Sequence, residues 1–307
     1  MKKAEQSLRL APSLIDLTAE TRIALETNLR DIPVPTPFFK LNAFMEGGLR
    51  GFVCLGGAPG VGKSVLAQQI ALMAPEYEIP VLYVDLEHSW TFLVLRMLAS
   101  YKGKTIEDVK SMLKKEGSGV GNGETGTLNL PPYLHMLTAW SGPVLPEDII
   151  FNIRTLADKG KPILVIIDSL QKLPIVPGMQ YRESMNTWLR ELEAIKNRYG
   201  TTILVVSELS RGEGGKGYAT PGLHSLKESG DIEYTAEQIL LISPTNEEGW
   251  FRIFLAKNKY GPKGEVSGAL YSHENIKVWR WKEVVVERSM AISTPGDRVE
   301  RKRRGKQ

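Results

Sequence analysis

Between an apolar run, Gly51 to Gly56 (GFVCLG), and a helical stretch, Lys63 to Met73, stand the residues Gly57-Ala58-Pro59-Gly60-Val61-Gly62-Lys63-Ser64. They spell G-x-x-x-x-G-K-[ST] in full, in the strand–turn–helix setting that gives the pattern its meaning. Glycines let the backbone close around a phosphate with its N–H groups pointing inward, and the helix N-terminus adds a favourable dipole. Gly57 to Val65 is therefore the expected phosphate cradle. Lys63 would reach the β and γ phosphates, and the Ser64 hydroxyl is a hard oxygen ligand for Mg²⁺. No N-K-x-D guanine-reading motif is present, so ATP is the expected nucleotide.

The flanking pattern agrees. Apolar runs at Val81 to Leu86, Tyr133 to Thr138, Ile163 to Asp168, Thr202 to Ser207, Gln238 to Ile242 and Phe251 to Ala256 alternate with helical stretches. Those helices are expected at Trp90 to Tyr101, Pro146 to Asp158 and Glu183 to Tyr199. Continuous apolar strands separated by helices predict an α/β fold with a mostly parallel sheet flanked by helices. Two glycine-rich segments interrupt the series, Gly117 to Thr127 and Arg211 to Gly222. The second follows a strand at the end where open α/β sheets bind ligands.

Ahead of the core, Leu17, Thr21, Leu25 and Leu29 fall four apart, which makes Thr18 to Arg30 a short amphipathic helix. Pro33-x-Pro35-x-Pro37 ends it. Such a helix either packs on its own domain or acts as an arm that docks on a neighbouring subunit. The expected organisation is an arm and linker over 1–35, an ATPase core over 36–285 and a basic tail over 286–307.

The 307 residues carry a net charge of +4, unevenly spread. Six of the 39 basic residues lie in the last ten positions against one acidic residue, Glu300, which leaves the rest at 33 basic and 34 acidic side chains, a net of −1. A basic tail can touch nucleic acid or simply solubilise the chain. No run approaches the roughly 18 apolar residues a membrane span needs, and MKKAEQSLRL has no apolar stretch behind its lysines. A single cysteine, Cys54, excludes a disulfide framework and a cysteine-ligated zinc site. A reducing cytoplasm is the simplest setting.

A P-loop enzyme also needs an acid at the end of a neighbouring strand to hold the metal, and ILVIID ends in Asp168. Hydrolysis needs a base to orient the attacking water. Asp85 and Glu87, in VDLEHSW, can face the same way because side chains alternate along a strand. Glu87 lies nearer the mouth of that strand and is the favoured base.

Taken in order, PTPFFKLNAFMEGGLRG, VLYVDLEHSWTFLVLRMLAS, LVIIDSLQKLP, VVSELSR, LHSLKESGDIEYTAEQILLI and AKNKYGPKGEV resemble the RecA-type ATPase domain of DnaB-type replicative helicases. The resemblance runs from about Pro33 to Trp281, and LKESGDIE is its most distinctive piece. It implies a RecA-like P-loop NTPase core that assembles into a homo-hexameric ring and moves on single-stranded DNA with ATP hydrolysed between subunits. Glu87 matches the family's catalytic glutamate, Lys63 and Ser64 the P-loop pair, and Asp168 the metal aspartate. Lys227, Glu228 and Gly230 match its DNA-backbone loop, and Arg182, Arg211 and Lys216 add spaced positive charge on the expected DNA loops.

Lys257-Asn258-Lys259 matches the segment that reaches the γ-phosphate held by the adjacent subunit, with lysine where the family has arginine. Lysine is a point charge without the planar fork. Glu208 stands where the family has a γ-phosphate-sensing glutamine, and is expected to pair with a lysine of a neighbour. About 35 residues precede the core. The expectation is thus a form without the helical primase-binding domain, with any primase or loader a separate partner. Two other readings remain open: a RadA-like recombination ATPase, from the likeness of KNKYG to that family, and a KaiC-like regulatory ATPase that does not unwind.

Overall fold

The computed structural model describes residues 32–117, 133–139, 142–157, 163–209, 229–244, 250–272 and 277–281. The expected arm over Thr18–Arg30, the basic tail, and Arg211, Lys216, Lys227 and Glu228 lie outside them.

Among the described residues nine strands form one sheet in the order β3-β2-β4-β5-β1-β6-β7-β8-β9. They are β1 (Phe52–Gly57), β2 (Val81–Asp85), β3 (Leu134–Thr138), β4 (Leu164–Asp168), β5 (Thr202–Glu208), β6 (Gln238–Pro244), β7 (Trp250–Asn258), β8 (Gly264–Ser272) and β9 (Lys277–Trp281). The first six in spatial order are parallel, and β7 to β9 extend the sheet antiparallel. The helices are α1 (Phe39–Phe44), α2 (Lys63–Met73), α3 (Trp90–Lys102), α4 (Ile106–Gly117), α5 (Pro146–Ala157), α6 (Tyr181–Tyr199) and α7 (Ser229–Thr235).

The strand sequences are apolar throughout because both faces are covered. Val53, Leu55, Val81, Tyr83, Leu164, Ile166, Leu204 and Val206 point to one face, where α1, α2 and α3 bury them. Phe52, Cys54, Leu82, Val84, Val165, Ile167, Ile203 and Val205 point to the other, under α5, α6 and α7. The period of two along each strand sorts the residues between the two cores. It also settles what happens at the strand ends. Asp85, Asp168 and Glu208 continue the parity of Tyr83, Ile166 and Val206, so three carboxylates emerge on the α2 face. Packing of fully buried side chains such as Leu41 and Met45 of the α1 region stabilises that layer by about 1.5–3 kcal/mol each.

Helix α6 begins at Tyr181, so Arg182 sits in its first turn, exposed, and not in the loop before it. That loop is pinned to the helix: Trp188 Nε1 donates to the Pro174 carbonyl (2.8 Å) and Val176 N–H donates to Ser184 Oγ (2.8 Å). No helix among the described residues is long and apolar enough to cross a membrane.

Candidate active site

The glycine turn delivers β1 into α2. Gly62 is the N-cap of α2 with φ +94°, a conformation that side chains with a Cβ rarely adopt, and no side chain among the described residues caps the helix. The first-turn N–H groups of Lys63, Ser64 and Val65 therefore have no helical acceptor and open on the cavity in front of them. That cavity holds about 240 Å³ and is lined by Pro59, Gly60, Gly62, Lys63, Ser64 and Val65 from the turn and helix, by Glu87, His88 and Arg96, by Asp168 and Ser169, and by Val206 and Glu208.

Lys63 is buried, and its ammonium donates to the carbonyls of Gly57 (3.0 Å) and Ala58 (2.9 Å), which folds it over the turn. Burial pushes its pKa down, against the pull of Glu208, Asp168 and Glu87 in that order. Glu208 thus lines the same cavity as a lysine of its own chain. The cause is the strand order: β5 lies beside β1 with Glu208 in register with Gly57. Gln171 braces this end of β5, donating to Ser207 Oγ (2.9 Å) and accepting the Glu208 N–H (3.4 Å).

The two carboxylates of the second strand divide plainly. Asp85 is fully buried, and its Oδ1 accepts the N–H groups of Glu87 (2.9 Å) and His88 (2.9 Å). Its Oδ2 lies 3.0 Å from His88 Nδ1. Asp85 is consumed in shaping the turn, whereas Glu87 is exposed and lines the cavity. On the neighbouring strand, in register with Asp85, Asp168 is also buried. Tyr83 Oη donates to its Oδ2 (2.7 Å), and the Ser64 hydroxyl also hydrogen-bonds it. Burial raises the Asp168 carboxyl, opposed chiefly by the Tyr83 hydrogen bond.

Among the described residues no group of three or more His, Cys, Asp or Glu side chains could cage a metal ion. Ser64 and Asp168, two hard oxygens in contact, suit instead a cation that keeps most of its waters and takes the rest of its shell from phosphate oxygens, which is the habit of Mg²⁺. Three carboxylates facing a polyanion also call for such a cation.

Sequence reasoning missed His88 and Arg96. Ser89 caps α3 by accepting the Phe92 N–H (3.4 Å), so positions 88, 92 and 96 fall on one face. The His88 ring stacks on Phe92 (centroids 5.8 Å apart), and the Arg96 guanidinium lies 5.9 Å from the same ring. The i, i+4 spacing from His88 was the available signal.

Lys257 and Lys259 are not in this cavity. The end of β7 pairs with the start of β6, Asn258 opposite Gln238, which places both lysines at the edge where the parallel strands begin. Lys257 donates to the Glu233 carbonyl, and Lys259 Nζ lies 3.8 Å from Glu237 Oε1. Six residues of β1 separate that edge from the phosphate turn, roughly 20 Å. Gly230 sits in the first turn of α7.

Residues 33–277 match the DnaB-like helicase C-terminal domain. The chain belongs to the DnaB-like helicase C-terminal domain family. It is 24% identical over 265 residues to the replicative DNA helicase DnaB of Treponema pallidum, covering 84% of this chain and 58% of that one. It is 25% identical over 258 residues to the replicative DNA helicase DnaC of Bacillus subtilis, covering 79% and 55%. The chain thus spans little more than half the length of these relatives. The fold superposes on a solved DnaB-like replicative helicase with a TM-score of 0.68 at 19% identity, over 89% of this chain and 68% of that one.

Proposed function

We propose that this DnaB-like domain is an ATP-driven DNA helicase that works as a homo-hexameric ring on single-stranded DNA. The observation that carries the reading is the division of the chemistry between two edges of one sheet. The phosphate turn, Glu87 and Asp168 stand at one edge, and Lys257 and Lys259 at the other, too far to serve the same nucleotide. Subunits packed head to tail complete each other's sites, and a rotation that closes makes a ring.

In that arrangement Lys63 leaves the Gly57 and Ala58 carbonyls for the β and γ phosphates of ATP. Ser64 and Asp168 hold Mg²⁺, which supplies charge neutralisation on the phosphates. Glu87, aimed by the Asp85-bound turn, orients the water for in-line attack on the γ-phosphorus. Lys259 from the adjacent subunit stabilises the charge on the transferring phosphoryl group, with Lys257 behind it. Glu208 meets the same region and takes its balance from Lys63. Arg182, Arg211, Lys216, Lys227, Glu228 and Gly230 track the DNA backbone, and any primase or loader acts as a separate chain.

Strand displacement on a forked duplex with single-stranded tails, driven by ATP, is the direct test. Wild-type protein is expected to separate the strands while Lys63→Ala does not. ATP turnover that leaves the duplex intact would move the reading towards a recombination or regulatory ATPase.

A further inference from the structure

At the edge opposite the phosphate cavity a single carboxylate ties three elements together. Glu237 Oε2 accepts the N–H of Phe52 (2.9 Å), the first residue of β1. Its Oε1 accepts from Lys196 Nζ of α6 (3.1 Å) and faces Lys259 Nζ at 3.8 Å. The backbone repeats the linkage: Glu237 N–H donates to the Phe52 carbonyl (2.7 Å), and Lys259 N–H donates to the Glu237 carbonyl (3.0 Å). Gly51 makes room for this. Its φ is +64°, and an added Cβ would stand 1.7 Å from Glu237 Oε2 and 2.9 Å from the Tyr260 hydroxyl. Burial works to raise the Glu237 carboxyl, but the Phe52 N–H and then Lys196 outweigh it and hold the group below its ordinary value. It is therefore a carboxylate at neutral pH.

We propose that Glu237 is a positioning residue that aims Lys259 at the triphosphate held by the neighbouring subunit. The proposal rests on the trans-acting role given to Lys259 above, and it says how a lysine does that work. A lysine is a flexible point charge with no pre-organised fork. Lys257 adds like charge beside it. Left alone, the Lys259 side chain would sample many directions. Glu237 restricts them, and the two lysines it holds are unequal. Lys196 is 11% exposed and takes the close contact, while Lys259 is 51% exposed and takes the long one. An exposed pair of that kind is weak. It sets the direction of the ammonium and releases it to a stronger anion. Glu237 is bound to the first N–H of the strand that ends in the subunit's own phosphate turn. One carboxylate thus sets the outgoing lysine from the same strand that carries the subunit's own site.

The test is steady-state ATP turnover of the full chain on single-stranded DNA, comparing wild type, Lys259→Ala, Glu237→Gln, Glu237→Asp and the double variant Glu237→Gln/Lys259→Ala. Glu237→Gln is expected to lower kcat about tenfold with KM for ATP unchanged, as a displaced catalytic charge does. Glu237→Asp keeps the charge and should recover to within about twofold of wild type. The double variant should be no slower than Lys259→Ala, because Glu237 acts only through that lysine. Wild-type turnover by Glu237→Gln beside a strongly slowed Lys259→Ala would overturn the proposal and leave the trans-acting lysine standing. A double variant much slower than Lys259→Ala would show a structural role and overturn it too, as would Glu237→Asp as slow as Glu237→Gln. Wild-type turnover by Lys259→Ala itself would instead sink the reading on which the proposal rests.

Discussion

At the scale of single residues, the carboxylates around Lys63 differ in what their oxygens are already doing. Asp85 accepts two backbone N–H groups, faces His88 and is fully buried, outside the lining of the cavity. Glu87 owes its place to those bonds. Asp85→Asn retains one acceptor oxygen for the Glu87 and His88 N–H groups but removes the charge, and Asp85→Ala removes both. Hydrogen bonds to a charged acceptor are worth about 1.5–3 kcal/mol each. We therefore expect turnover to fall in the order wild type, Asp85→Asn, Asp85→Ala, with the last at least about tenfold slow, while binding of a fluorescent ATP analogue stays within about twofold. Equal loss of binding and turnover would mean that Asp85 supports the cradle and not the Glu87 turn. The sequence offered both carboxylates and a reason to favour Glu87. It could not show that the other one is the brace, because that depends on a turn whose N–H groups fold back on Asp85.

Among the elements, β1 is the one on which everything else is hung. It lies between β5 and β6, so it cannot open without breaking two ladders. Its third residue, Cys54, is fully buried, and burial pushes the thiol pKa up to about 12. The folded protein should leave this lone thiol unmodified by a disulfide reagent at about pH 8, with labelling appearing only as denaturant unfolds the sheet. Rapid labelling of the native chain would contradict the central position of β1. The parallel strands were legible because burial on both faces forces continuous apolar runs, and their bounds fall within one or two residues of expectation. Helix α4 was not read, although its capping box was there to see: Thr105 Oγ1 accepts the Asp108 N–H (3.1 Å) and Asp108 Oδ2 accepts the Thr105 N–H (3.2 Å). Its polar face and the glycines that follow masked it. Strands β8 and β9 were missed for another reason. Glycines and serines break the apolar run in GEVSGALYS, and pairing with β7, not local pattern, holds them in the sheet. Strand order is the property no local pattern carries, and it is what set Glu208 beside Gly57.

For the whole molecule, the proposed ring turns on one sheet that carries the phosphate turn at one edge and Lys257 and Lys259 at the other. A subunit with Lys63→Ala loses its own phosphate site but still offers an intact Lys259 to its neighbour. A subunit with Lys259→Ala has the reverse defect. Lys63→Ala alone is expected to be inactive, and Lys259→Ala alone to keep only a small residual turnover. Mixed in equal amounts and allowed to exchange, they should regain activity, because an interface that joins the Lys259→Ala phosphate site to the Lys63→Ala lysine contains every group. Random assembly through a single head-to-tail contact makes about a quarter of the interfaces of that kind, so recovered ATP turnover approaching about a quarter of wild type is the expected ceiling. A ring that needs several working sites in succession would fall below it in strand displacement while still recovering ATP turnover, which separates the chemistry at one interface from the cooperation of many. No recovery at all, with mixed assemblies demonstrated by mass, would mean that the lysine edge of the sheet does not meet a phosphate turn, and the two edges would then need separate explanations.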